Sequence, residues 1–415
     1  EAALGLACFY LSEFAASGAA YERAAQASDD PERAELHLAI AGQSHLWAHG
    51  YARARELADQ VLREPARTAR PGVAMAHNLR GFMTAVLDAD LAGAERCCGT
   101  ALEASAGRFP AIEGHVRFNQ TLFAEWTGDY PRAIALAEQV MSTGREHRLA
   151  HLVVWPYWFL GKARCCLGDY GGAIAQLEEG YQICDRIGDR AWKSRLLNTL
   201  GWCLGEVGCH ERAREYDARA AEVAHQLGDP EIVANSEINL ALDDLAGGRV
   251  DEACGFLEPI EAALSRPGDP WMRWRYALHV LNARASIELA RGAPERALAV
   301  AEQEIAGAVR HGAPKIEARA LLSAGRALLE LERWDEARDH LVRAVAVAER
   351  ISAPRFGWRA HGLLARLARA RGRSEDAERH AATHARLRDA ASRSLADAEL
   401  RRRLRETAAR ESGIA

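Results

Sequence analysis

The chain has 415 residues, and its 53 lysines and arginines nearly balance its 58 aspartates and glutamates, which leaves a net charge of −5. A balanced charge gives no overall field that attracts nucleic acid or anionic lipid. The sequence also lacks an apolar run of about 18 residues, which a membrane-spanning helix needs, and it lacks a secretory signal pattern. We therefore expect a cytoplasmic protein that binds neither nucleic acid nor a membrane.

The chain begins at Glu1, inside an apolar helical stretch that has neither an initiating methionine nor a helix cap. We therefore expect it to be a piece of a longer protein. Residues 1–34 are predicted to form an N-terminal helical segment that contains a partial repeat.

A row of nine alanines dominates the sequence that follows. Successive alanines are separated by 40, 39, 40, 40, 40, 44, 40 and 40 residues, and a turn precedes each of them. A period of this length indicates a solenoid of stacked structural units. The nine alanines are Ala54, Ala94, Ala133, Ala173, Ala213, Ala253, Ala297, Ala337 and Ala377.

Each unit is predicted to contain two helices. Apolar residues follow the three-and-four spacing of amphipathic helices, and the sustained alternation of a strand is missing. We call the helices of a unit helix A and helix B, and the alanine falls one turn into helix B. A larger side chain there would push the two helices apart. The sequence therefore predicts an all-α solenoid of about nine to ten repeats over residues 35–386.

The interval of 44 residues marks an irregular unit. The four extra residues fall in or near helix A, around residues 270–276. In one interpretation this helix is one turn longer and its aromatic residues pack on the neighbouring unit. In the other, a knob protrudes towards a partner. The knob would contain Trp271, Arg273, Trp274 and Arg275.

The last predicted segment, residues 387–415, is a charged helix with a short tail. It includes Arg401, Arg402, Arg403 and Arg405. We interpret it as a capping helix, because the end of a solenoid needs a polar outer face. Binding of nucleic acid through the arginine run is less favoured, since such runs are usually solvated.

The repeat pattern resembles the tetratricopeptide repeat. The resemblance rests on the turn, the alanine, and a glycine such as Gly161 or Gly201 nine residues before the aromatic position of the turn. The period of 40 residues resembles the longer variant of this repeat, and the resemblance covers roughly residues 35–385. It implies a right-handed superhelix. Four units depart from the pattern because His210, Val250, Pro294 and Ser374 replace the aromatic residue.

A second resemblance concerns residues 18–33 and 395–401. These segments are similar to the beginning and the end of the repeat region in large bacterial ATPase-linked regulators. Such regulators include LuxR-type transcription activators and ATPase-linked adenylate or guanylate cyclases. The resemblance implies that the repeats sense an effector or a partner and control an ATPase. The phosphate-binding pattern Gly-x-x-x-x-Gly-Lys-Ser/Thr is absent, so any ATP would bind outside this chain.

No motif in the sequence predicts catalysis, a metal site or a cofactor. Nucleophile-elbow, kinase and zinc-protease signatures are missing. Two histidine pairs have a spacing of four residues, His147 with His151 and His380 with His384. Neither pair has an evident third ligand, so we expect solvated surface histidines. We predict that the chain is not an enzyme.

The resemblance also implies which residues face the inside of the superhelix. Counting the recurrent alanine as position twenty, helix A contributes positions two, five, nine and twelve to the concave side. The resulting groove residues are His115, Phe118, Trp155, Trp158, Lys162, Arg195, Asn198, Trp202, Asn235, Asn282, Arg319, Arg326, Arg359 and Arg366.

The composition of this face suggests a binding groove. Tryptophans beside amide and cationic donors suit an extended peptide, a small effector or a partner helix. In the other interpretation, Trp155 and Trp158 only stiffen the contact between repeats. The four arginines at the far end suit an acidic segment of a partner.

The sequence therefore predicts a non-catalytic scaffold that binds a protein, a peptide or a small effector. The preferred context is the regulatory repeat region of a larger ATPase-linked signalling or transcription regulator. The alternative is a stand-alone adaptor. An enzyme with its active site inside the superhelix is the least favoured class.

Overall fold

The computed structural model describes residues 1–63, 70–266 and 273–412, and these contain helices and turns but no strand. The helices are α1 (Ala2–Tyr10), α2 (Phe14–Gln26), α3 (Pro31–Trp47), α4 (Tyr51–Val61), α5 (Pro71–Val86), α6 (Leu91–Ser105), α7 (Pro110–Thr127), α8 (Tyr130–Glu146), α9 (Ala150–Val154), α10 (Pro156–Cys166), α11 (Tyr170–Ile187), α12 (Arg190–Glu206), α13 (His210–Leu227), α14 (Pro230–Ala246), α15 (Val250–Ser265), α16 (Arg273–Ala290), α17 (Pro294–Arg310), α18 (Pro314–Glu330), α19 (Trp334–Arg350), α20 (Pro354–Ala370), α21 (Ser374–Arg393) and α22 (Ala398–Ser412).

The helices form consecutive pairs that stack into a solenoid, which confirms the predicted fold class. Each of the nine recurrent alanines is the fourth residue of the second helix in its pair. All nine are buried, and Ala377 has the largest exposed fraction at 4%. The alanine row therefore marks the close approach of the two helices, as the sequence predicts.

The helix ends follow from local chemistry. The carboxylate of Asp189 accepts a hydrogen bond from the backbone N–H of Trp192, at 3.1 Å, and so caps α12. The preceding residue, Gly188, ends α11 with a φ of 77°. That left-handed conformation favours glycine over residues with a Cβ atom. The repeated Gly-Asp pair thus ends one helix and begins the next.

Two of the expected boundaries, after residues 34 and 386, fall inside helices. Helix α3 begins at Pro31, so the boundary expected after residue 34 lies inside a helix. Helix α21 continues to Arg393, and the helical structure is interrupted at residues 394–397 rather than at 386. The segment after 386 is therefore the end of α21 followed by the separate helix α22.

The irregular unit does not contain a longer helix within the described residues. Helix α16 has 18 residues, whereas α14 and α18 have 17 each. The difference is much smaller than one turn of 3.6 residues. The described part of α16 starts only at Arg273. Residues 270–272, to which part of the prediction refers, lie outside the described residues.

The solenoid winds far enough for its later helices to contact its middle. Helix α7 lies against α18. The backbone N–H of Gly171 donates to Oγ of Ser394 at 3.2 Å, and a Cβ atom added to Gly128 would meet the side chain of Ile351. The inner side of the superhelix is therefore a deep, partly enclosed cavity. In the described part of the chain, no helix is long and apolar enough to cross a membrane.

Candidate functional site

The space inside the superhelix is a cavity of about 920 Å³. Its walls come mainly from the first helices of successive pairs, namely α7, α10, α12, α14, α16, α18 and α20. Glu411 of α22 also reaches it. Twelve of the fourteen predicted groove residues line this cavity: Phe118, Trp158, Lys162, Arg195, Asn198, Trp202, Asn235, Asn282, Arg319, Arg326, Arg359 and Arg366.

The other two predicted groove residues, His115 and Trp155, belong to an adjoining aromatic cluster. Trp155 is only 4% exposed. Its ring stacks on Trp192 with a centroid distance of 5.0 Å and an angle of 18°, and it also contacts Phe118 at 5.4 Å. For Trp155 the structure thus supports the packing interpretation. The reason is that α12 places Trp192 over it, between Trp155 and the cavity.

The histidines of the two spaced pairs do not all lie in solvent, which corrects the sequence prediction. Nε2 of His151 lies 2.9 Å from Nε2 of His115. His384 is 2% exposed, and its Nδ1 donates to the carbonyl oxygen of Trp358 at 2.8 Å. The contact of His151 with His115 joins α9 to α7 of the preceding pair, and the contact of His384 with Trp358 joins the two helices of one pair, α21 and α20. Among the described residues, no group of three or more potential ligands could hold a metal ion.

Trp158 differs from Trp155 because it faces the cavity. Its Nε1 donates to Oγ1 of Thr199 at 2.6 Å, and Nζ of Lys162 lies 4.3 Å from the ring centroid. The indole is therefore held in one orientation by a hydrogen bond and a cation–π contact. Such a fixed aromatic surface can support a ligand without losing much conformational entropy.

A cluster of amides surrounds one buried carboxyl group. Asp217 has no exposed surface, and its Oδ1 accepts hydrogen bonds from Asn198 at 2.8 Å and from Asn239 at 3.1 Å. Burial, with Asp243 nearby, raises the pKa of Asp217 well above its usual range. The sequence analysis missed Asn239, although it lies one position away from the groove register, and it missed Asp217 because that residue belongs to a second helix.

Asn282 and Asn235 present amide atoms to the cavity. Nδ2 of Asn235 donates to the hydroxyl of Tyr276 at 2.8 Å, which leaves the amide oxygen as an acceptor. The side chain of Asn282 is 6% exposed and lines the cavity. Amides in such positions can bind the backbone of an extended peptide.

The arginines predicted to line the groove form ion pairs with carboxylates of the same chain. Arg195, in the middle of the cavity, lies 3.0 Å from Asp229 and 2.8 Å from Glu231. At the far end, Arg359 lies 3.1 Å from Glu206 and 2.9 Å from Glu411.

The three other arginines of the far end have similar partners. Arg319 lies 2.6 Å from Glu304, Arg366 lies 2.7 Å from Glu330, and Arg326 lies 3.7 Å from Glu411. An acidic partner would therefore have to compete with internal carboxylates. The sequence could not reveal this, because Glu411 belongs to α22 and Glu304 to a second helix.

The predicted knob does not protrude where the structure describes it. The ring of Trp274 packs edge-on against Trp126, at a centroid distance of 5.7 Å, and Arg275 is only 7% exposed. Nε1 of Trp274 also donates to the carbonyl oxygen of Ala85 at 3.3 Å. The knob interpretation is wrong for these two residues, because the solenoid brings earlier helices against them.

The two other residues of the predicted knob give no support to it. A guanidinium nitrogen of Arg273 donates to the carbonyl oxygen of Arg266, so its side chain turns back along its own chain. Trp271 lies outside the described residues.

Beside Arg319, which lines the cavity, lies a buried carboxyl group whose charge depends on pH near neutrality. Glu304 has no exposed surface, and burial raises its pKa from 4.5 to about 7 despite the opposing effect of Arg319. The charged form is therefore disfavoured in the folded protein. Stability from this group is fully present below pH 4.5 and is lost as the pH rises through about 7.

The variant Glu304→Gln tests this dependence, because glutamine stays neutral at every pH. The gap between 4.5 and about 7 corresponds to about 3 kcal/mol. The free energy of unfolding of the variant, minus that of the wild type, should increase by up to about 3 kcal/mol as the pH rises from 5 to 8. Denaturant midpoints across this range measure the difference, and a difference that is independent of pH would contradict the assignment.

Comparison with known proteins identifies the class of the fold. Residues 152–224 match the tetratricopeptide repeat family. No curated protein matches the chain in sequence. The chain is therefore a tetratricopeptide-like solenoid, as its helix pairs and its matched segment indicate.

Several solved structures are similar to the chain in fold. The chain is similar to a Rap protein complexed with the competence and sporulation factor, with a TM-score of 0.65 and 12% identity over 84% of this chain and 96% of that one. It is similar to the Rap conjugation gene regulator of plasmid pLS20 in complex with the Phr* peptide, with a TM-score of 0.56 and 13% identity over 86% and 96%. For NprR with its cognate peptide NprX, the values are 0.53 and 15% over 80% and 97%. At these identities the likeness concerns the fold.

Proposed function

We propose that the chain is a non-catalytic sensing scaffold that binds a short extended peptide inside its cavity. The observation that carries the proposal is the cavity itself, which has successive repeats as its walls and is lined by aromatic and amide side chains. Its volume of about 920 Å³ lies at the upper end of the range for small-ligand pockets. The space is therefore large enough for several residues of a peptide.

The polar groups favour a peptide over a purely apolar ligand. Asn235 and Asn282 offer amide atoms on neighbouring first helices, α14 and α16. Backbone N–H and C=O groups of an extended chain need such partners wherever they leave water. Trp158 and Trp202 add apolar surface for side chains. The peptide complexes formed by solenoids of similar fold agree with this proposal.

We propose further that these repeats serve a larger regulator. The similarity of residues 18–33 to ATPase-linked regulators supports this context over the stand-alone adaptor. Because the cavity is walled by helices from the middle and from the end of the chain, a bound peptide would contact both. Binding would then favour one curvature of the solenoid, and a linked module would respond to that curvature.

Affinity selection from a synthetic hexapeptide library tests the binding site directly. The wild type should retain a defined set of sequences. Asn282→Ala should lower the affinity for these peptides by about ten-fold, because an amide hydrogen bond to the peptide backbone is lost. Isothermal titration with the selected peptides measures the change.

The control is Gln60→Ala, which removes an exposed amide of α4 outside the cavity. It should retain the same peptides with the same affinity. The proposal fails if the wild type retains no peptide, or if Asn282→Ala and Gln60→Ala behave alike.

A further inference from the structure

Two lysines converge on one buried carboxylate inside the cavity. Of the 53 basic residues in the sequence, only Lys162, Lys193 and Lys315 are lysines. Nζ of Lys162 lies 3.0 Å from Oε2 of Glu125, and Nζ of Lys315 lies 2.9 Å from Oε1. Glu125 has no exposed surface. Each oxygen of this carboxylate is therefore already engaged by one lysine.

A third cation, Arg275, lines the same cavity without a carboxylate partner. Its guanidinium lies 4.8 Å from the ring centroid of Trp126, and the residue is 7% exposed. Among the described residues, none forms a hydrogen bond or an ion pair with Arg275. A guanidinium carries five N–H donors, so Arg275 can donate hydrogen bonds to a group bound in the cavity.

The local charge is therefore out of balance. Lys162, Lys315 and Arg275 contribute three positive charges around Glu125, which contributes one negative charge. The next carboxylates, Glu206 and Glu231, are paired with Arg355 and Arg195. Burial lowers the pKa of Lys162 to about 8, and repulsion from Lys315 and Arg275 adds to this effect while Glu125 opposes it. Burial likewise lowers the pKa of Arg275. An anion of matching charge would relieve this repulsion.

One tryptophan ring lies against each of the two lysines. Nζ of Lys162 lies 4.3 Å from the ring centroid of Trp158, and Nζ of Lys315 lies 4.9 Å from that of Trp202. Rings at these distances limit access of water to the ammonium groups. Coulomb attraction to an anion is stronger in such surroundings than at an exposed surface.

We propose that Lys162, Arg275 and Lys315 form a subsite for a doubly charged oxyanion of the ligand, either a phosphoryl group or two neighbouring carboxylates. Ammonium and guanidinium groups both bind such oxygens, and the guanidinium can do so with two parallel hydrogen bonds. The subsite deepens the proposed function, since it rests on the cavity being the ligand site. Its three cations lie on α10, α16 and α18, so a bound oxyanion would join the middle of the solenoid to its later repeats.

The three lysines allow a direct test by NMR of the full chain labelled with ¹³C only at lysine. Inorganic phosphate and glutarate are titrated at constant ionic strength, and glutaramide serves as the neutral probe. The signals of Lys162 and Lys315 should shift saturably with an anion but not with glutaramide. The signal of Lys193 should stay in place, because that lysine pairs with Asp185 outside the cavity. Saturation at a lower concentration of phosphate indicates a phosphoryl group, and the reverse order indicates two carboxylates.

The variant Arg275→Gln separates binding from folding. It should lower the affinity for the anion probe by about ten-fold or more, because a charged hydrogen-bond donor is lost. It should leave the Tm unchanged or raise it, because the removed charge forms no ion pair with a carboxylate and is repelled by Lys162. The matched control Lys193→Gln should bind the probe like the wild type.

Three results would overturn the subsite: no shift of Lys162 and Lys315 with either anion, equal shifts of all three lysines, or a lower Tm of Arg275→Gln with unchanged affinity. Failure of the subsite can be told apart from failure of the peptide proposal. If the library yields peptides but the two lysine signals do not move, only the subsite is wrong. If the anions bind while no peptide is retained, the subsite stands and the peptide proposal fails.

Discussion

The variant Trp155→Ala should lower the free energy of unfolding by about 3–5 kcal/mol. The side chain is 4% exposed and packs between rings of five helices, including Trp47 at 6.3 Å and Trp192 at 5.0 Å. Removing it leaves a large apolar space that the surrounding helices cannot fill. Denaturant unfolding followed by circular dichroism measures the loss.

The matched control is Trp158→Ala, three residues further along the chain. Trp158 lines the cavity and is only partly buried, so its replacement should cost less stability. It should weaken peptide binding more than Trp155→Phe does. Equal losses of stability in Trp155→Ala and Trp158→Ala would show that the assignment of packing to one and binding to the other is wrong.

The variant Gly171→Ala should detach the end of the chain from the middle of the solenoid. A Cβ atom at this position would overlap the carbonyl oxygen of Ser394 and would lie 2.8 Å from its carbonyl carbon. Because the obstacle is backbone, α21 and α22 must move apart from α11. We expect a cost of about 1–3 kcal/mol, and an opened fraction that rises by about ten-fold to a hundred-fold.

Hydrogen exchange locates this effect. Protection should fall in residues 394–412, where Leu400 and Leu404 are buried, and should persist in α12 and α13. The control Gly99→Ala places a methyl group where no atom lies within 4 Å and should be neutral or slightly stabilising. Unchanged protection of residues 394–412 in Gly171→Ala would contradict the predicted role of this contact.

Local periodicity accounts for the part of the structure that the sequence predicted well. The alanine row fixed the register, and the register placed Lys162, Asn198 and Asn282 on the wall of the cavity. Helix pairing needs only short-range information, because each pair contacts its neighbours and the spacing of apolar residues defines the contact face.

The same register could not separate Trp155 from Trp158. Both residues occupy predicted inward positions of one unit, with Trp155 between α9 and α10 and Trp158 in α10, but Trp192 on the next unit covers Trp155. The register also could not show that Arg275 turns inward, because the ring beneath it, Trp126, is far away in sequence. Both outcomes depend on which distant helices meet.

The sequence by itself determined the all-helical repeat, the position of its close helix contacts and most of the inner face, since these follow from spacing within about 40 residues. Only the tertiary structure decided that the inner face closes into a cavity. Lys315 meets Glu125 across 190 residues, and Gly171 meets Ser394 across 223. The small rotation between successive repeats accumulates along the solenoid, and no local pattern records its sum. This accumulated rotation brings Lys315 and Arg275 close to Glu125 and Trp126, and so produces the excess positive charge beside Glu125.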